Sequence, residues 1–231
     1  MALPRIITVD GPAGSGKSSI SFIVAHDLNY LFIDTGAFYR ALTLAANERG
    51  LADADESAIA ALAQHIVIDI TPDLKDDGRQ YTVLLDGRDV TWAIREAAVE
   101  ANVSRISAMA SARALINIKQ RLIAEQNNVI MAGRDIGTVV LPHADLKLYL
   151  DASPEARAQR RYTQLIASGK VADLAEITRE LRARDAYDSG RTIDPLRQAA
   201  DAIYVNTDAM TIEQSVAHVK QIITQKQTAP P

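Results

Sequence analysis

Ile6-Ile7-Thr8-Val9-Asp10-Gly11-Pro12-Ala13-Gly14-Ser15-Gly16-Lys17-Ser18 begins as a β-branched run and passes into the spacing G-x-x-x-x-G-K-[ST]. Glycines at 11, 14 and 16 allow backbone conformations closed to residues with a Cβ and let the chain approach an anion closely. Successive N–H groups then form a concave anion site, completed by the positive N-terminal end of the next helix. Lys17 would reach the β- and γ-phosphates of a nucleotide, and the Ser18 hydroxyl would hold Mg²⁺. The apolar run before the loop reads as a strand and Ser19-Ile20-Ser21-Phe22-Ile23-Val24-Ala25 as a helix. A glycine-rich turn with an accidental lysine is the bland alternative. The bare pattern arises by chance in roughly one chain in a hundred of this length, and the strand and helix around it lower that further. Candidate nucleotide-binding residues are therefore Gly11, Pro12, Ala13, Gly14, Ser15, Gly16, Lys17, Ser18 and Ser19.

Outward from the loop, strands and helices alternate. Tyr30–Ile33, Val129–Ala132, Leu146–Asp151 and Ala202–Val205 read as further core strands, with helices from Ala37 to a stop at Gly50, from Ser153, and over Ile212–Ile223. This alternation predicts an α/β fold, a five-stranded parallel sheet flanked by helices. Ligands bind beyond the carboxyl ends of such strands. There stand Asp34, Thr35 and Arg40, and the stretch Gly133-Arg134-Asp135-Ile136-Gly137-Thr138. An arginine and an aspartate between glycines pack poorly and suit a ligand. Arg40 taken alone reads better as a solvated helical position.

Residues 55–64 form a short surface helix. Ile66–Ile70 and Tyr81–Leu85, joined by the polar stretch Pro72–Arg79, predict an antiparallel insertion with a third short strand near Asp89–Val90. Residues 93–126 are largely helical. Ser153-Pro154-Glu155 places a cap, a first-turn proline and an early acid at one helix start. That helix carries Arg157, Arg160 and Arg161 and breaks at Ser168-Gly169-Lys170. A second, from about Asp173, carries Arg179, Arg182, Arg184 and Asp185. Two arginine-bearing helices joined by such a turn can act as a mobile lid. Their arginines also have Glu155, Glu176 and Glu180 within reach at helical spacing.

The composition narrows the function classes. With 48% hydrophobic and 23% charged residues in 231, this is the make-up of an ordinary globular chain. A net charge of −4 argues against broad nucleic-acid binding while leaving room for a small basic pocket. The absence of cysteine removes disulfides, thiolate catalysis and cysteine-ligated metals. His26, His65, His143 and His218 lack metal-ligand spacing. No apolar run approaches a membrane span and the N-terminus lacks a signal-peptide pattern, so a cytoplasmic protein with no membrane partner is expected. A polar tail runs from Gln225 to Pro231.

Four stretches in this order carry a family resemblance: Asp10–Ser18, Asp34-Thr35-Gly36-Ala37-Phe38-Tyr39-Arg40, Gly133–Val140 and Arg184-Asp185-Ala186-Tyr187-Asp188-Ser189-Gly190-Arg191. The first is shared by many nucleotide-dependent enzymes; the others are more specific. The chain resembles the bacterial cytidylate kinases (CMP kinases) along nearly its whole length. The resemblance implies ATP and Mg²⁺ as cofactors and CMP and dCMP as substrates; a monomer is the default expectation. It implies a P-loop core over 1–34, 127–156 and 186–231, an acceptor-binding region with its small β insertion over 35–126, and a helical lid over 157–185. By matched position, Thr35 lies beside the acceptor nucleotide, and Arg40 and Arg134 grip its phosphate. Ser104, Arg113 and Asp135 surround the cytosine edge, and Asp188 and Arg191 lie near sugar and base. Arg157 and Arg184 face the donor or the moving phosphoryl group. Lys17, Arg134, Arg184 and Arg191 are thus the expected catalytic set. Tyr187 stands where some relatives carry a basic residue.

Two rival readings remain at this level. One is a P-loop kinase of another small acceptor such as shikimate, gluconate or dephospho-coenzyme A. The other is a non-catalytic nucleotide switch, for which a guanine-reading Asn-Lys-x-Asp stretch is missing.

Overall fold

A computed structural model describes residues 2–72 and 75–226. The tail read from Gln225 lies outside the described residues from position 227 onward, as do positions 73 and 74 of the polar connection. In chain order the elements begin β1 (Ile6–Asp10), α1 (Lys17–Leu28), β2 (Leu31–Asp34), α2 (Gly36–Glu48) and α3 (Glu56–His65). The strands β3 (Ile68–Pro72), β4 (Tyr81–Leu85) and β5 (Arg88–Asp89) follow, then α4 (Ala97–Ser107) and α5 (Ala110–Gln126). The chain closes with β6 (Val129–Gly133), β7 (Leu146–Asp151), α6 (Pro154–Ala167), α7 (Leu174–Gly190), β8 (Ile203–Asn206) and α8 (Ile212–Gln225).

The five-stranded parallel sheet has the order β2-β6-β1-β7-β8, flanked by helices, as the strand–helix alternation predicts. Between β1 and β7, Ile7 lies opposite Leu146 and Asp10 opposite Tyr149; between β7 and β8, Leu148 lies opposite Ile203. Parallel strands need crossovers, which the intervening helices supply. A second, antiparallel sheet, β3-β4-β5, is the expected insertion. Its strands start and stop within two residues of the sequence reading: Ile66 and Val67 precede β3, and Val90 follows β5.

The chain falls into two compact units, one running to Asn29 and resuming at Ile130, the other Tyr30–Val129. In the first, β1, β7 and β8 bury Ile7, Val9, Leu148, Leu150 and Val205, while Val24, Ala25 and Ile223 are the buried faces of α1 and α8. Nearly continuous apolar runs are what strands covered on both faces require. In the second, α2 buries Phe38 and Leu42, with Ile59, Val83, Ile94, Ile106 and Ile116 from α3, β4, the 3₁₀ turn at Ala93–Arg95, α4 and α5. Burying each such side chain contributes about 1.5–3 kcal/mol.

Helix ends follow the local chemistry. Ser153 Oγ accepts the Ala156 N–H with Pro154 at the first position of α6, and Asp173 caps α7 through the N–H groups of Ala175 and Glu176. The break at Ser168–Lys170 is as read, with Gly169 at φ 75° and the Lys170 N–H donating to the Leu165 carbonyl at 3.0 Å. One boundary differs: α7 continues through Tyr187, Asp188 and Ser189 to Gly190, so this motif is the last turn of a helix. Among the described residues no helix is long and apolar enough to cross a membrane.

Candidate active site

The loop after β1 has the backbone that its glycines foretell. A Cβ on Gly11 would stand 2.0 Å from the Leu150 carbonyl oxygen, so only glycine fits. Gly16, at φ 88°, is the N-cap of α1 and brings no side chain to the helix's first N–H groups, which leaves a capping role for an anion. Lys17 is 7% exposed and its Nζ donates to the Pro12 carbonyl at 3.0 Å, folding the ammonium back across the loop. Ser18 and Ser19 lie half-buried in the first turn of α1. Ser15 Oγ is buried without a hydrogen-bond partner.

In this same unit the arginines are held by carbonyls and carboxylates. Arg157, buried near the start of α6, donates through Nε to the Ala152 carbonyl and through one terminal nitrogen to the Ala13 carbonyl of the loop, both at 2.8 Å. Its fork also grips Asp185 of α7. Arg134, just past β6, donates Nε to Asp188 Oδ2 at 2.8 Å. Asp185 and Asp188 are one turn apart on α7, so this helix presents a carboxylate to each arginine. Arg191 donates to the Asp194 carbonyl at 2.9 Å, and its Nε is buried without a partner. Arg184 is exposed. A cavity of about 440 Å³ opens beside the loop, lined among others by Pro12, Asp151, Arg157, Asp185, Tyr204 and Asp208.

Asp135 is 6% exposed and precedes a π-helical turn, Ile136–Val140, that periodicity did not reveal. The turn's N–H groups at Ile136 and Gly137 donate to Asp10 at 2.8 and 2.7 Å. Burial nonetheless pushes the Asp10 carboxyl up to about 6, assisted by the nearby Asp135 charge and opposed by those two N–H groups and by Lys17.

The second unit holds the remaining candidates. Thr35 is buried and stands at the start of α2 without a side-chain capping bond. Arg40 of α2 pairs with Glu100 of α4 at 2.5 Å, so it is not merely solvated. Arg113 is 2% exposed, donates to the Ser107 carbonyl at 3.1 Å and lies over the Tyr39 ring, 5.3 Å from its centroid. Arg113 is therefore a buried, preoriented side chain. Ser104 is exposed on α4, three residues before Ser107. The acids expected near the lid arginines are used sparingly: Arg182 of α7 pairs with Glu155, on α6 rather than on its own helix. All four histidines are exposed.

Sequence reasoning assigned no role to Asp10, Asp185 or Tyr39, although each lies inside a quoted motif. Thr207 was missed as well; its hydroxyl donates to the Ser15 carbonyl at 3.3 Å, and Arg160 donates to its carbonyl. The usable signal was the carboxylates flanking Gly11 and Arg184, which a packing role alone does not require.

The chain is similar to known proteins over most of its length. A family model described as "Cytidylate kinase" matches residues 7–225. The cytidylate kinase of Herpetosiphon aurantiacus is 46% identical over 214 residues, 93% of this chain and 92% of that protein. That of Leuconostoc mesenteroides is 46% identical over 217 residues, covering 94% and 95%. That of Chloroflexus aggregans is 45% identical over 219 residues, covering 95% and 94%. By a match spanning nearly every described element, from β1 to the end of α8, this chain belongs to the cytidylate kinase family.

Proposed function

We propose that the protein transfers the γ-phosphoryl group of ATP to CMP or dCMP, giving ADP and the nucleoside diphosphate. Membership of the family supports the reaction. The observation that carries it at the level of residues is the loop itself: Lys17 folded over Gly11–Ser18, with the buried Arg157 guanidinium against the Ala13 carbonyl. An anion cradle flanked by a fixed lysine and arginine suits a polyphosphate.

Phosphoryl transfer of this kind passes through a loose state with charge spread over the moving group, so the protein's work is alignment and charge stabilisation. In this reading Gly11–Ser19 and Arg157 hold the donor. Arg40 and Arg134 hold the acceptor phosphate, and Thr35, Ser104, Arg113, Asp135, Asp188 and Arg191 hold the nucleoside. Lys17, Arg134, Arg184 and Arg191 stabilise the transferring group. Arginine forks donate parallel hydrogen bonds to phosphate oxygens, which a point charge cannot do. Closure of the α6–α7 lid would exclude water and protect ATP from hydrolysis.

Mg²⁺ fits the residues present. Among the described residues no cluster of three or more His, Asp or Glu is placed to bind a metal. A hard cation held mainly by nucleotide phosphates, with the Ser18 hydroxyl as its protein ligand, needs none. The buried, unpartnered Ser15 Oγ offers a further oxygen within the same loop. When bound, the ion would neutralise phosphate charge.

We further infer a cytoplasmic monomer that acts on free nucleotides rather than on nucleic acid. A coupled ADP-release assay over all nucleoside monophosphates, with ATP and Mg²⁺, tests the reading. CMP and dCMP should be turned over far faster than UMP, AMP or GMP. Phosphorylation of shikimate or gluconate, with no activity on CMP, would sink it.

A further inference from the structure

Asp10 ends β1, directly before the phosphate loop, and is 3% exposed. A buried carboxylate is costly unless its oxygens are satisfied. Here one oxygen accepts the Ile136 N–H at 2.8 Å and the other the Gly137 N–H at 2.7 Å. These are the opening N–H groups of the π-helical turn Ile136–Val140, and the residue that precedes it, Asp135, makes no side-chain capping bond. Asp10 therefore caps that turn from more than a hundred residues away in sequence. The approach is close enough to exclude a side chain: a Cβ on Gly137 would stand 2.9 Å from Thr8 Oγ1 and 3.2 Å from Asp10 Oδ2.

We propose that Asp10 is a positioning residue for the acceptor nucleotide: by fixing the N–H groups of Ile136 and Gly137 it sets the backbone from which Arg134 and Asp135 project. The assignment rests on the reading of those two residues as acceptor contacts. One carboxylate thus ties the strand that ends in the donor loop to the turn that presents the acceptor-binding pair. The charged and titratable groups facing Asp10 are Lys17 from α1, Asp135 from the turn and Tyr149 from β7. The Asp135 charge raises the cost of ionising Asp10, so the anchor is electrostatically linked to the proposed base-reading carboxylate.

Two variants and one spectroscopic measurement test this. Asp10→Asn keeps the shape but turns an NH₂ donor towards one of the two N–H groups. It should raise the KM for CMP at least about tenfold, the loss expected for a charge-assisted hydrogen bond, with the KM for ATP changed less than about threefold. Gly137→Ala, which displaces the turn while leaving the carboxylate, should give the same split, and it decides the matter if Asp10→Asn does not fold. In the unmodified protein the ¹H–¹⁵N resonances of Ile136 and Gly137 should titrate together with a midpoint near 6, the value to which Asp10 is raised. Flat resonances for both amides across the whole carboxyl range, from about pH 3 to 8, overturn the anchor. An equal rise in both KM values, or an unchanged KM for CMP in a folded variant, overturns its role in acceptor positioning. A parent enzyme inactive on CMP overturns the functional reading, and the amide titration then still reports whether the anchor exists.

Discussion

Arg157 and Asp185 meet fork to fork: the two terminal nitrogens of the guanidinium donate to the two carboxylate oxygens at 3.1 and 2.5 Å, while Nε and one of those nitrogens also reach the carbonyls of Ala152 and Ala13. A single side chain thereby fastens α7 to the phosphate loop. A lysine cannot satisfy all of these acceptors, because it lacks the planar fork. Arg157→Lys should therefore raise the KM for ATP roughly tenfold, as expected for loss of a charge-assisted hydrogen bond, with a smaller effect on CMP. Asp185→Ala should lower stability by about 3 kcal/mol, since it strands a buried charge. Steady-state kinetics and urea unfolding check the two outcomes, and an Arg157→Lys protein with unchanged ATP kinetics would remove Arg157 from the donor site.

Arg134 and Arg40 show the same motif of an arginine resting on a carboxylate, Asp188 at 2.8 Å and Glu100 at 2.5 Å. An acceptor phosphate would compete with these carboxylates for the guanidinium groups. Replacing either arginine with alanine should weaken CMP roughly tenfold to a hundredfold while ATP binding changes little. Equal weakening of both substrates, measured by calorimetry, would point to a structural role instead.

What could be read from the sequence was what is local in it. The loop Gly11–Ser18, the Ser153 cap and the break at Gly169 each depend on residues within one turn of one another, and each appears where the spacing puts it. The five-stranded parallel sheet followed from alternation and apolar runs, whereas its order β2-β6-β1-β7-β8 came only with the structure. The anchors of the site were not legible, because their partners are far apart in the chain: Asp10 with Ile136, Arg157 with Asp185, Arg134 with Asp188. The extension of α7 to Gly190 was not legible either. Gly190 has no positive φ, so it does not mark the residue after a helix as Gly50 and Gly169 do.

Lys17 provides the most direct test of the chemistry. Its ammonium is drawn over the loop by the Pro12 carbonyl, inside the proposed phosphate cradle. Lys17→Ala should cut kcat by at least about a hundredfold to a thousandfold, the usual loss when one preorganised charge donor is removed, with the melting temperature nearly unchanged. A folded variant with near-normal turnover would overturn the assignment of the loop.

The raised carboxyl of Asp10 predicts an unusual sign in the pH dependence of stability. Its ordinary value of 3.8 rises to about 6 in the fold, so between these limits the folded chain binds more protons than the unfolded one. Stability must then fall as pH rises through that window, by up to about 3 kcal/mol for this group alone. Carboxylates whose values are lowered, such as Asp77 and Asp89, work in the opposite direction and only below their ordinary range. Urea unfolding of the parent and of Asp10→Asn at pH 4.5 and 7 isolates the contribution. The stability of the parent relative to the variant should decrease on going to pH 7, and a constant difference would mean that Asp10 titrates normally.

Selectivity for cytosine is the sharpest claim, because a generic nucleotide kinase would share everything in the donor loop. Cytosine presents an exocyclic amino donor beside the acceptors N3 and O2, whereas uracil presents O4 and a protonated N3. Discrimination needs an acceptor near the amino group and a donor near N3 or O2; the proposed pair is Asp135 and Arg113, with Ser104 assisting. Both principal groups are buried, Asp135 at 6% and Arg113 at 2% exposure, so a mismatched base would leave polar groups unpaired out of water. Arg113 is also preoriented by the Ser107 carbonyl and the Tyr39 ring. Asp135→Asn and Arg113→Met should each lower the ratio of kcat/KM for CMP over UMP by roughly tenfold or more, with the KM for ATP held. If the ratio survives both substitutions and only the overall rate falls, Asp135 and Arg113 do not read the base, and the selectivity must come from elsewhere in the acceptor site.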